Sequence, residues 1–131
     1  MPSDADQATT DEATAAEAMR FGGLVLPDSA RVLGVRHTGG LDRLYTLAVG
    51  LPPADVGELL ERSGVTEPLT PDPGPFMTPI DGFDLGQAQS VETTEDVLPP
   101  SGDRKSQVFR RIAVDRSDPV WVVVHIWLFT T

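Results

Sequence analysis

Side chains alternate between two faces over Val108–Asp115, which predicts a strand, and Arg31–Thr38 and Leu41–Gly50 read as two more on either side of Gly39-Gly40. The longest apolar run is Val120 to Phe129, Val-Trp-Val-Val-Val-His-Ile-Trp-Leu-Phe. Ten residues are too few to span a bilayer as a helix. The run is β-branched and aromatic and follows the turn signal Asp118-Pro119, so it reads as a strand. Alternation puts Val120, Val122, Val124, Ile126 and Leu128 on one face. The other carries Trp121, Val123, His125, Trp127 and Phe129. Neither face suits water. Either both are covered, or the aromatic face is a ligand surface.

The other elements follow from local chemistry. Gly39-Gly40 is a two-residue hairpin signal. It predicts that Thr38 faces Leu41, His37 faces Asp42 and Val35 faces Leu44. Pro52-Pro53 opens a helix through Ser63, with Val56, Leu59 and Leu60 on one side and Gly64 as its stop. Residues 65–107 hold seven prolines that break any long element. Phe76, Met77, Ile80, Phe83 and Leu85 are nevertheless too apolar for a free linker, so this loop is expected to fold back onto the sheet. Val91–Val97 reads as a short edge strand or a turn. The expected fold is α+β in two layers, β-β-α-(long loop)-β-β, with one main helix on a mostly antiparallel four-stranded sheet. The helix is expected to cover the Val120–Leu128 face. Met19–Leu26 and Phe76–Leu85 together are expected to cover the aromatic one.

Residues 1–20 are rich in Ala, Thr, Asp and Glu with little to bury. They read as an acidic disordered tail or linker with a short helix at 13–19, and residues 21–131 as a single domain. The net charge is −10. Five acids (Asp4, Asp6, Asp11, Glu12, Glu17) and one base (Arg20) fall in the tail, leaving fifteen acids against nine bases in the domain. A negative field repels phosphate and anionic lipid, so nucleic acid and direct membrane insertion are disfavoured and a basic protein partner is favoured. There is no cysteine, which removes disulfides, thiolate metal sites and Cys nucleophiles. Met1-Pro2-Ser3-Asp4 has neither the basic nor the apolar part of a signal peptide.

Catalytic patterns are weak. Gly-x-Ser-x-Gly and Gly-rich phosphate loops are absent, and the serines stand in turn or capping contexts. His37, His125 and Asp42 could share a metal ion, but no short His-x-His spacing supports that. Asp81, Asp84, Glu92, Glu95 and Asp96 lack the spacing of an EF-hand loop. No catalytic residue, cofactor or metal is therefore assigned. The candidate binding surface is Phe76, Met77, Phe83, Asp84, Trp121, His125 and Trp127.

Leu26-Pro27-Asp28-Ser29-Ala30-Arg31-Val32, Gly40-Leu41-Asp42-Arg43-Leu44-Tyr45 and Leu51-Pro52-Pro53-Ala54-Asp55-Val56-Gly57-Glu58-Leu59-Leu60 resemble small uncharacterised actinobacterial exported lipoprotein domains. The resemblance covers about half the chain and carries over no catalytic residue. It implies a cell-surface or extracellular position after signal removal, with residues 1–20 as the tether; the alternative is cytoplasmic. The leading expectation is a non-enzymatic binding domain. A second is an acidic immunity-type protein that neutralises a basic toxin. A third is a small metal-dependent enzyme using His37, His125 and loop acids. Burial of the aromatic face is testable: Trp127→Ala is expected to cost about 3–5 kcal/mol in a denaturant melt, whereas about 1 kcal/mol or less would mark an exposed face.

Overall fold

The computed structural model describes residues 11–39, 43–72, 74–83, 85, 90–102 and 105–130. In chain order the elements are α1 (Glu12–Gly22), β1 (Arg31–Thr38), β2 (Leu44–Leu51), α2 (Val56–Arg62, after a 3-10 turn at Pro53–Asp55), β3 (Thr70–Pro71), β4 (Val91–Leu98), β5 (Val108–Asp115) and β6 (Val122–Phe129). The strands form one six-stranded sheet in the order β1-β2-β6-β5-β4-β3. Every adjacent pair is antiparallel.

The expected four-stranded sheet under one main helix is therefore corrected to six strands and two short helices. The two extra strands come from the Pro-rich segment. β4 carries two Thr, two Glu and an Asp because it lies next to the sheet margin, with only the two-residue β3 outside it. A strand so placed needs few apolar residues, which is why the residues alone do not decide between the short edge strand and the turn expected at Val91–Val97; the strand is what forms. Both helices lie on one face of the sheet. Ala15, Ala18 and Leu24 from α1 and its exit, and Val56, Leu59 and Val65 from α2 and its exit, share a core with Val35, Leu47, Val49, Ile112, Val124 and Ile126. The Met19–Leu26 segment thus covers the aliphatic face of β6 and not, as expected, the aromatic one.

The hairpin register also differs. Thr38 pairs with Leu44, His37 with Tyr45 and Val35 with Leu47, and a bulge lies between Val32 and Gly34. The connection runs from 39 to 43, and Gly40, Leu41 and Asp42 lie outside the described residues. A slip of three residues relative to the two-glycine turn reverses the face of every β2 side chain. The gain is burial: Val35 now joins Tyr45, Leu47, Val49 and Leu51 in the helix-side core. Apolar matching across the sheet overrides the local turn signal.

Both helices end in the same way. Gly23 and Gly64 take left-handed backbone at φ 62° and 71°. The N–H groups of Leu24 and Val65 reach back to the carbonyls of Met19 and Leu60 at 2.8 and 2.9 Å. The two C-terminal ends then converge on Arg110, which is 1% exposed. Its Nη1 donates to the carbonyls of Gly22 (3.1 Å) and Ser63 (2.7 Å). Its Nε and Nη2 donate to the two oxygens of Asp96 at 2.7 and 2.6 Å. Asp96 stands directly across from Arg110 on β4. A buried cation at two helix C-termini is favourable, and the fork geometry satisfies a carboxylate as no ammonium can. In urea melts Arg110→Ala is expected to cost about 3–5 kcal/mol, because it leaves Asp96 and two carbonyls unpaired. Arg110→Lys is expected to recover only part of that loss; full recovery would mean that charge alone matters.

Candidate functional site

The face of the sheet away from the helices carries the aromatic side chains. Strand pairing arranges its residues in rows. One row is Leu44, Phe129, Phe109 and Val97. The next is Arg36, Thr46, Trp127, Arg111 and Glu95. The third is Gly34, Ala48, His125, Ala113 and Thr93. Small residues in the third row leave room, and the segment 74–83 lies over it. Ile80 approaches Gly34 so closely that a Cβ there would sit 2.8 Å from its Cγ2. Trp127 Nε1 donates to the Thr78 carbonyl at 2.9 Å, and Arg36 Nη2 donates to the same oxygen at 3.4 Å. Leu85, Ala113 and Trp127 form a second small core, with Phe76, Met77, Val91 and Phe129 packed on it.

Trp127 and His125 are each 1% exposed. They are interior residues, closed off from a partner. Trp121 is half-buried just before β6, with its indole over Gly50. Phe76, Met77 and Phe83 are half-buried on the covering segment. Asp84 lies outside the described residues. The structure brings together Phe76, Met77 and Trp127, and stacks His125 near Trp127 at 6.2 Å between ring centres.

The two histidines fall on opposite faces. His37 stacks on Tyr45 at 4.5 Å on the helix side, and Tyr45 meets Phe21 of α1 at 5.1 Å. Burial, with the Glu17 carboxylate adding to it, pushes the Tyr45 phenol up to about 12. His125 lies on the loop side. His37 and His125 therefore cannot share an ion, and Asp42 lies outside the described residues. Among the described residues no group of three or more His, Asp or Glu side chains could hold a metal ion.

His125 has no hydrogen-bond partner on either ring nitrogen, and Thr46 Oγ1 in the neighbouring row has none either. Burial lowers the His125 pKa to about 4, and the Asp115 carboxylate opposes that shift only in part. The ring is neutral near pH 7.

Row one is different in character. Phe109 and Phe129 stack at 5.4 Å and are half-buried, and Val97 is 45% exposed. Beside it, between the lead into β3 and β4, lies a cleft of about 300 Å3 lined by Glu67, Pro68, Asp72, Thr93, Glu95 and Arg111. Sequence reasoning reads Val91–Val97 as a short edge strand or a turn, and the strand is what forms, but it assigns no cleft here. The available signal was the alternation of Val91, Thr93, Glu95 and Val97, which marks a strand with one mixed face.

Searches against protein-family models, curated proteins and solved structures gave no match to this chain. No helix of the described residues is long and apolar enough to cross a membrane.

The depressed pKa of His125 fixes the sign of a pH effect. Its folded value lies below the ordinary 6.5, so its contribution is fully present above pH 6.5 and is lost as the pH falls toward 4. The loss is expected to reach about 3 kcal/mol at most. Melts of the wild type and His125→Leu between these pH values are expected to diverge, with the variant flatter. Parallel curves would show that His125 carries no such linkage.

Proposed function

We propose that this domain is a non-catalytic protein-interaction module whose partner is basic. The observation that carries the reading is the half-exposed row Leu44, Phe129, Phe109 and Val97, left at the margin of the face that segment 74–83 covers. Stacked aromatic side chains that keep part of their area in water are the kind of anchor that interfaces bury. The charge of −10 selects against acidic partners and speeds encounter with basic ones. His125, which burial holds neutral near pH 7, is sealed under the loop, and among the described residues no titratable side chain is bonded to it, which favours binding over catalysis. Neutralising a basic toxin, as an immunity-type protein does, is one form this module could take. The resemblance to exported lipoprotein domains would place it at a cell surface.

Co-expression with the products of genes adjacent to its own tests the proposal. A basic product is expected to co-purify. Its affinity is expected to fall at least about tenfold between roughly 50 and 500 mM salt. Phe109→Glu is expected to weaken it while leaving the domain folded. A complex indifferent both to salt and to Phe109→Glu would overturn the reading.

A further inference from the structure

β4 is incompletely paired on its outer side. The carbonyl of Val91 accepts from the N–H of Asp72 on the β3 side at 3.0 Å. Alternation then directs the N–H and C=O of Thr93, Glu95 and Val97 to that same side. β3 pairs only with Glu92 and Thr93. Pro68, at the place where the chain would continue the ladder, has no N–H to give. Among the described residues no strand pairs with the outer edge of Glu95–Leu98. The other margin of the sheet is guarded: β1 is bulged between Val32 and Gly34, and Arg36 is turned inward to Thr78.

Resting on the interaction reading above, we infer that an extended segment of a basic protein adds to the sheet as a strand along Glu95–Leu98. The rows of the loop-side face specify its side chains. Each of β2, β6, β5 and β4 gives one apolar residue to the row that ends at Val97, so the incoming strand places an apolar residue beside Val97. The next row ends at Glu95, whose side chain is 71% exposed and only 3.6 Å from Arg111. The incoming strand therefore places Lys or Arg there, two residues from its apolar anchor. A second basic side chain enters the cleft between Glu67, Asp72 and Glu95. Backbone pairing supplies the affinity and the apolar-x-basic spacing the selectivity. A second copy of this chain is a poor occupant, because two chains of net charge −10 repel.

The test is a titration of the nitrogen-15-labelled domain with the peptide Thr-Val-Thr-Val-Thr-Lys-Thr-Lys. A peptide of the same composition, reordered to break the two-residue spacing, is the control. Amide shifts are expected to concentrate on Glu95–Leu98, and the control is expected to bind at least about tenfold more weakly. Val97→Pro removes one outward N–H at an edge position where proline is tolerated. It is expected to weaken binding about tenfold with the melting midpoint nearly unchanged, and Glu95→Lys to do the same by reversing a charge. Equal binding of the control, shifts centred on Arg31–Thr38, or Val97→Pro binding as the wild type while folded would overturn the inference. So would a concentration-dependent dimer that Val97→Pro dissolves, which would make the occupant a second copy. Absence of any peptide binding beside a salt-sensitive basic partner would discard the edge and leave the interaction reading standing.

Discussion

The fold depends on one buried guanidinium. Arg110 holds four hydrogen bonds, two to Asp96 and one to the end of each helix. Taking a charge out of water costs several kcal/mol, and only near-complete satisfaction offsets it. Here the carboxylate answers the charge, and the carbonyls it meets are those that a helix end leaves unpaired. Neither helix is long enough to persist alone, since α1 has eleven residues and α2 seven. Their left-handed glycine ends bring the last carbonyls to a common point, and the arginine joins that point to β5 and, through Asp96, to β4. Val25 N–H adds a direct tie between the helix exits by donating to Ser63 Oγ at 3.0 Å.

The two faces of the sheet are built by different means. On the helix side, regular elements bury aliphatic rows. On the other side, an irregular segment does the covering with few apolar side chains and one shared backbone oxygen. The second arrangement leaves polar atoms without partners, at His125 and Thr46, and each such buried group costs about 1–3 kcal/mol. It also leaves the outermost row, with Phe109 and Val97, only partly covered. The helix side carries unpartnered polar atoms too, at His37 Nε2 and Tyr45 Oη, so what sets the loop side apart is its partly covered outer row, the surface it has to offer.

A good part of this was legible in the residues. Alternation marked β5 as Val108–Asp115, and the aromatic character of β6 was plain. Three things were hidden. The hairpin register follows the match of Val35 to Leu47 across strands, which outweighs the pull of Gly39-Gly40 toward a tight turn. β4 is polar because it lies near a sheet margin, so Val91–Val97 reads equally as a short edge strand or a turn, and the residues alone do not decide between them. Arg110 stands in a row of Val108, Ile112 and Val114, where an arginine is out of place; that oddity is the one trace of its role, and its partner Asp96 is recognisable only once β4 is paired. Of the expected binding residues, Trp127 and His125 answer to core packing, because small residues opposite them let segment 74–83 settle over the sheet.

The manner in which that segment is held has a consequence for how the protein can change over generations. Trp127 and Arg36 both grip the main-chain oxygen of Thr78, and the threonine side chain is exposed. A main-chain anchor is indifferent to what is written at that codon. Substitution at position 78, and at exposed neighbours such as Asp81, can proceed without loosening the cover, while the tryptophan beneath must stay. The covering segment can thus vary its outward chemistry on a fixed mount, which is the freedom a lineage needs when the molecule it meets is itself changing.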